Sequence, residues 1–218
     1  MASPRAVLFD LDGTLLDTLE DLCNAVNRVL RNHRFPLHPI DAYRYFVGDG
    51  VRVLFERALP EANRDGETLQ RCIAEFREDY GLHWNVATRP YRGIPELLDA
   101  LTSRGIPMAV LSNKPHDTTM KCIAGLLPDW TFHPVLGHRE GMPKKPDPAG
   151  ALEIARELGI PSEEFLYVGD TGTDMMTALA AGMHPVGALW GFRPERELRE
   201  HGARVCVAAP PDILALIS

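Results

Sequence analysis

The sequence has no basic excess, no paired cysteines, no metal-spaced histidines and no long apolar run, and each absence removes a class of function. Its net charge is -7, whereas binding to a phosphate backbone draws most of its affinity from clustered Lys and Arg, so no nucleic-acid partner is expected. Cys23, Cys72, Cys122 and Cys206 are far apart and form no CxxC pair, which fits thiols in a reducing compartment rather than a disulfide framework. The eight histidines show no HxH or HExxH spacing, which disfavours a zinc hydrolase. Arg5, Asp10 and Asp12 surround the short first apolar run, so the amino terminus reads as neither a signal peptide nor a membrane span. A cytoplasmic protein with no membrane partner is expected. Repeats and low-complexity tracts are absent, and 218 residues at 45% hydrophobic and 24% charged fit one globular core plus a modest insertion.

What is present is acid at the end of a strand. Val7-Leu8-Phe9 reads as a buried strand that runs into Asp10-Leu11-Asp12-Gly13-Thr14. Two carboxylates about 4 Å apart repel by roughly 4 kcal/mol at an effective dielectric near 20, so the pair calls for a cation or a shared proton. An oxygen-rich site suits Mg²⁺, and Gly13 lets the chain turn around it. The plainer reading is that both aspartates end a strand and cap a turn. Two further apolar runs tilt the balance: Met108–Leu111 leads into Ser112-Asn113-Lys114, and Phe165–Gly169 leads into Asp170-Thr171-Gly172-Thr173-Asp174. In open parallel sheets ligands lie beyond the carboxyl ends of the strands, so these three ends should converge on one crevice. Lys145, set between prolines in Met142-Pro143-Lys144-Lys145-Pro146-Asp147-Pro148, is a rigidly presented cation that balances the acids.

Between the first strand and the resumption of strand–helix alternation near Tyr91, the pattern is helical. Asp17-x-x-Glu20 reads as a capping box ahead of Leu19, Leu22, Cys23, Val26, Val29 and Leu30, which share one helical face. Leu69, Cys72, Ile73, Phe76 and Tyr80 mark another helix. The expected organisation is an α/β, Rossmann-like parallel sheet core, residues 1–16 and 86–218, with an inserted all-helical cap at 17–85. Helices are expected at Pro95–Arg104, Asp147–Leu158 and Asp174–Ala181, each stopped by the glycine that follows.

The four segments Asp10-x-Asp12-Gly13-Thr14, Ser112-Asn113, Lys145-Pro146-x-Pro148 and Gly169-Asp170-x-x-x-Asp174 occur in this order, and together they resemble the haloacid dehalogenase-like superfamily of phosphohydrolases. Tyr45–Arg52, Gly93–Leu98, Gly141–Pro148 and Leu189–Arg193 extend the likeness over nearly the whole chain, towards bacterial phosphoglycolate phosphatases. Arg92 and Asp49 depart from that pattern, where proline and asparagine are common.

Chemically, a carboxylate that attacks a phosphate ester forms an acyl phosphate and splits one slow displacement into two easier ones. Asp10 is the candidate nucleophile, and Asp12 the acid that protonates the leaving alkoxide and then deprotonates water. Ser112, Asn113 and Lys145 are candidates to meet the charge on the phosphoryl oxygens. The resemblance implies the same roles, with the Ser112 hydroxyl, the Asn113 backbone amide and the Lys145 ammonium on phosphate. It also implies Mg²⁺ held by Asp10, the Asp12 carbonyl, Asp170 and Asp174. As read from the residues alone, Asp174 also suits a helix cap.

In the cap, Gly48-Asp49-Gly50 is a loop whose amides can approach a small anion, and Arg52 can pair with a carboxylate. The expected activity is Mg²⁺-dependent hydrolysis of a small phosphorylated metabolite, with 2-phosphoglycolate first, by a monomer or homodimer. Pyrophosphate and sugar phosphates are the nearer alternatives. A receiver-type phospho-acceptor is the distant one, disfavoured because it needs neither Asp12 nor a long helical insertion.

Overall fold

The fold is described from a computed structural model, over residues 4–217. The elements in chain order are β1 (Ala6–Phe9), β2 (Leu16–Asp17), α1 (Leu19–Asn32), α2 (Ile40–Phe46), α3 (Val51–Ala58), α4 (Gly66–His83), β3 (Arg89–Pro90), α5 (Ile94–Ser103), β4 (Met108–Pro115), α6 (His116–Leu126), β5 (Val135–His138), α7 (Ala149–Leu158), β6 (Phe165–Gly169), α8 (Gly172–Ala180), β7 (His184–Ala188), α9 (Glu195–Glu200) and β8 (Val205–Val207). They form two compact units, one of residues 1–16 and 90–218, the other of 17–89.

The first unit is a parallel six-stranded sheet in the order β5-β4-β1-β6-β7-β8. This is the α/β, Rossmann-like core expected from the strand–helix alternation. β1, β6 and the Met108–Leu111 part of β4 are apolar and buried on both faces, as parallel strands covered by helices must be. One face packs Leu8, Ala109, Leu111, Phe165 and Tyr167 against Ala151, Ile154 and Ala155 of α7 and Ala178 of α8. From β1 the chain winds outwards through β4 to β5 and then crosses back to β6 on the other side of β1, so the strand order reverses between β1 and β6. Ligand crevices of open α/β sheets lie at such a reversal.

Several boundaries differ from the sequence reading, each for a local reason. β4 does not stop at Leu111 but continues to Pro115, with a register shift that pairs Pro115 with His138. α7 starts at Ala149, because Asp147 turns back to accept a hydrogen bond from the Ala149 amide at 2.9 Å. α8 starts two residues before Asp174, with Thr171 as its N-cap.

The second unit is helical. The α1 stripe Leu19, Leu22, Cys23, Val26, Val29 and Leu30 is buried, as are Leu69, Cys72, Phe76 and Tyr80 of α4. Arg28 and Asp79 tie these helices together by two parallel hydrogen bonds, 2.8 Å from Nε and 2.5 Å from Nη2. The capping box expected from Asp17 and Glu20 does not form: Thr18 is the N-cap and makes no side-chain cap bond. Asp17 lies instead in β2, paired with β3 in a two-stranded ribbon where the chain passes between units. The unit extends past Val86 to Arg89, since buried Asp21 accepts from the Ala87 and Thr88 amides and the Thr88 hydroxyl at 2.7–3.0 Å. Among the described residues no helix is long and apolar enough to cross a membrane.

Candidate active site

Three strand ends of the first unit bring Asp10, Asp12, Ser112, Asn113, Asp170 and Asp174 together. Asp10 follows β1 directly, and its amide continues the ladder by donating to the Val168 carbonyl at 2.9 Å. The chain then coils on itself, with the Leu15 and Leu16 amides both donating to the Leu11 carbonyl at 3.0 Å and the Gly13 amide to the Leu16 carbonyl at 2.9 Å. Gly13 sits at φ +87°, and a Cβ there would overlap the Asp170 carboxylate. Glycine is the amino acid that tolerates both that backbone conformation and so close an approach.

Asp170 and Asp174 are fully buried beyond β6. Asp170 accepts from the Thr14 hydroxyl at 3.0 Å and the Phe192 amide at 2.8 Å. Trp190 Nε1 donates to the Thr14 carbonyl at 2.9 Å, so the segment after β7 braces the same group. Asp174 closes the helix cap: its Oδ2 accepts from the Thr171 amide at 3.0 Å and the Thr171 hydroxyl at 2.6 Å. Its other oxygen accepts from Lys145, so the cap bonds leave Oδ1 turned to the neighbouring charged groups.

Lys145 is the centre of the cluster. Its ammonium donates to Asp174 Oδ1 at 2.7 Å, to Asp10 Oδ1 at 2.8 Å and to the Leu111 carbonyl at 3.1 Å. The Asn113 side chain grips the Lys145 backbone from both sides: Oδ1 accepts from its amide at 2.9 Å, and Nδ2 donates to its carbonyl at 3.2 Å. Ser112 is buried, and its hydroxyl oxygen accepts from the Lys114 amide at 3.2 Å. The Asp12 carboxylate points to a partner that the sequence reading left without a role. Lys114 Nζ donates to its two oxygens at 2.9 and 3.1 Å. The signal was in the sequence, since Lys114 extends the Ser112-Asn113 run, but only the continuation of β4 fixes its direction.

The electrostatics are those of acids crowded in a dry pocket. Burial, and then the charge of Asp174, push Asp10 up to about 7 against the pull of Lys145. Asp170 is held well above the usual carboxylate range by burial and by Asp174 and Asp10, despite the Phe192 and Thr14 hydrogen bonds. Burial works against the Lys145 ammonium, but Asp10 and Asp174 together outweigh it and raise its pKa. Asp10, Asp170 and Asp174 each offer an oxygen within 4.8 Å of the others, and one ammonium does not balance three carboxylates. An all-oxygen set with excess negative charge fits a hard divalent cation such as Mg²⁺.

The remaining candidates, Gly48, Asp49, Gly50 and Arg52, lie in the helical unit. Gly48-Asp49-Gly50 forms the connection between α2 and α3. Arg52 pairs along its own helix with Glu56 at 2.8 Å. Arg57, absent from the sequence reading, engages the loop: it meets Asp49 at 2.6 Å and donates to the Tyr45 and Phe46 carbonyls at 3.1 and 3.2 Å.

Residues 7–188 match the haloacid dehalogenase-like hydrolase family. The chain belongs to that family and is a hydrolase. It is similar to the phosphoglycolate phosphatase of Pseudomonas putida, at 34% identity covering 89% of this chain and 73% of that one. The phosphoglycolate phosphatase of Aquifex aeolicus is 35% identical, covering 86% of each chain. Among solved structures, a predicted phosphoglycolate phosphatase from Haemophilus somnus superposes with a TM-score of 0.91 at 26% identity, over 99% of both chains.

Proposed function

We propose that this hydrolase is a Mg²⁺-dependent phosphomonoesterase that works through an aspartyl-phosphate and takes 2-phosphoglycolate as its substrate, releasing glycolate and phosphate. The observation that carries the reading is the buried Asp10 carboxylate held at 2.8 Å by Lys145 at the end of the central strand. A hydrogen-bonded carboxylate whose position is fixed suits in-line attack on phosphorus. The names of the relatives support the substrate.

In the first step an Asp10 oxygen bonds to phosphorus as the ester P–O bond breaks, and Asp12 gives its proton to the departing alkoxide. In the second, water attacks the phosphorus of the acyl phosphate, Asp12 takes the proton, and orthophosphate leaves with Asp10 restored. Ser112, the Asn113 amide and Lys145 meet the phosphoryl oxygens. Asp10, Asp170, Asp174 and the Asp12 carbonyl would hold Mg²⁺, which when bound neutralises charge on the transferring group. Lys114 keeps the Asp12 carboxylate in one orientation until a substrate oxygen competes for it. The helical unit serves as a cap whose Gly48-Asp49-Gly50 loop selects the acid end of the substrate. We favour this loop over Arg52 because the Arg52 guanidinium is already engaged by Glu56. The all-thiol cysteine set supports a cytoplasmic setting.

The test is phosphate release with Mg²⁺ from a panel of 2-phosphoglycolate, sugar phosphates, pyrophosphate and an aryl phosphate, together with acid-quench trapping of an acyl phosphate. 2-Phosphoglycolate is expected to give the highest kcat/KM, with a trapped species sensitive to hydroxylamine. Preference for pyrophosphate or a sugar phosphate would overturn the substrate, and absence of a trapped intermediate during turnover would overturn the mechanism.

A further inference from the structure

The segment Leu189–Arg193, between β7 and α9, carries part of the family likeness, yet the proposed chemistry gives it no task. Its geometry supplies one. Trp190 Nε1 donates to the Thr14 carbonyl at 2.9 Å, and the Phe192 amide donates to Asp170 Oδ2 at 2.8 Å. Gly191 lies between them, where a Cβ would stand 2.2 Å from the Asp170 Cβ and 2.5 Å from the Gly13 carbonyl oxygen. No larger residue fits at so close an approach.

Asp170 is therefore wedged against two glycine backbones, by its Cβ at Gly191 and by its carboxylate at Gly13. Its oxygens are held from different segments, Oδ1 by the Thr14 hydroxyl at 3.0 Å and Oδ2 by the Phe192 amide. A carboxylate has about four acceptor positions, so lone pairs remain on both oxygens for a cation. Thr14 is the joint of this clasp: its hydroxyl holds Asp170 while its carbonyl is held by Trp190. The amides of Thr14, Leu15 and Leu16 converge instead on the Leu11 carbonyl, so the indole braces the turn from outside. The clasp is itself rooted in the sheet, because the Leu189 amide donates to the Val207 carbonyl of β8 at 3.0 Å.

Ligand direction matters most for a small, hard ion. Mg²⁺ demands near-ideal octahedral geometry, whereas Ca²⁺ accepts more ligands at looser angles. Groups that hydrogen-bond to a metal ligand orient it before the ion arrives, and losing one typically weakens binding by about 10–100-fold. We infer that Trp190 and Gly191 are positioning residues for the divalent cation, the indole N–H acting through Thr14 on Asp170 to favour Mg²⁺ over Ca²⁺. This rests on the metal site of the proposed function and is independent of the substrate.

Trp190→Phe in the full chain keeps an aromatic ring and removes the donor. Calorimetric titration of the metal-free protein with Mg²⁺ and with Ca²⁺, with no ester present, reads the effect without turnover. Mg²⁺ affinity should fall about threefold to tenfold, since this bond lies one step further from the ion than the usual case, and Ca²⁺ affinity by less than about twofold. In assays the half-saturating Mg²⁺ concentration should rise by the same factor as the dissociation constant, with kcat at saturating Mg²⁺ changing less. Gly191→Ala, which drives a methyl group into Asp170, should cost more Mg²⁺ affinity than Trp190→Phe; if it does not fold, Trp190→Phe alone decides. Unchanged Mg²⁺ affinity in Trp190→Phe would overturn the inference. Equal losses for the two ions would overturn it too, marking a general loosening that the metal-free melting temperature cross-checks. A wild type that binds Mg²⁺ but hydrolyses no ester would sink the proposed activity and leave this inference standing, whereas one that binds neither ion would sink both.

Discussion

The two units use charge in opposite ways. In the α/β unit Asp10, Lys145, Asp170 and Asp174 are buried together, and the charges of Asp10 and Asp174 raise the pKa of Lys145 and of Asp170. In the helical unit the ion pairs are separate and partly exposed, as with Arg52–Glu56 and Arg57–Asp49, whose side chains retain between 27% and 59% exposure. Exposed pairs are screened by water and contribute about 0–1 kcal/mol, whereas a broken buried pair leaves a charge with nothing to replace its partner. A cluster of like charges excluded from water is therefore costly to fold, and its retention at the end of the central strand marks chemistry. The scattered pairs of the helical unit mark solubility and local helix stability.

The sharpest way to break this contrast is Asp10→Asn. The amide keeps the size of the side chain and removes both the charge and the nucleophile, so turnover is expected to fall by more than about a thousandfold while the fold remains cooperative. Steady-state assays and thermal unfolding check the two halves. Activity within about tenfold of the wild type would remove Asp10 from its role.

Gly13→Ala should come next, because it strains a positive-φ position and drives a methyl group into Asp170. A loss of about 2–4 kcal/mol in denaturant unfolding is expected, accompanied by loss of activity. A neutral substitution would mean that the turn is looser than its hydrogen bonds imply.

The raised Asp10 pKa gives a pH signature with a definite sign. Between about 4 and about 7 the native carboxyl binds a proton that the unfolded chain has released, so this group makes metal-free stability fall as pH rises through that window. Above it the contribution is constant. Denaturant unfolding as a function of pH should show this slope for the metal-free wild type. The slope should be smaller in Asp10→Asn, which does not titrate, and smaller again with saturating Mg²⁺, which favours the ionised form. A chelator should also silence turnover and Mg²⁺ restore it, with Ca²⁺ binding but supporting little, since its looser geometry misplaces the nucleophile.

The smallest effects belong to the helical unit. Arg52→Ala should change stability by no more than about 0.5 kcal/mol. Gly50→Pro, at a residue with φ +89° that proline cannot adopt, should distort the loop and lower kcat/KM for 2-phosphoglycolate more than for an aryl phosphate. Equal losses on the two substrates would remove the loop from specificity.

Much of this was legible along the chain because local patterns carry it. The apolar runs Val7–Phe9, Met108–Leu111 and Phe165–Gly169 announce buried parallel strands, and the polar residues that follow each run announce one crevice, since parallel strands put their carboxyl ends on the same edge. The α1 and α4 stripes announce a helical insertion by their period alone. Pairing partners were not legible. Asp12 with Lys114, Asn113 with the Lys145 backbone, Trp190 with Thr14 and Arg57 with the loop join residues 8 to 176 positions apart. Hydrogen-bond direction depends on where a strand ends and how a side chain leaves it. The same holds for the misread capping box at Asp17, where pairing in β2 overrode a local helix signal.

The sequence by itself determined the architecture and the chemical inventory: a parallel sheet with a helical insertion, and a set of acids with one framed lysine at its strand ends. Only the tertiary structure decided that Lys145 is saturated by three acceptors and that Asp12 leans on Lys114. Periodicity and turn chemistry act over a few residues and are written in order along the chain. The partnering of buried polar groups is settled by which of them are excluded from water together, and that depends on the whole packed sheet.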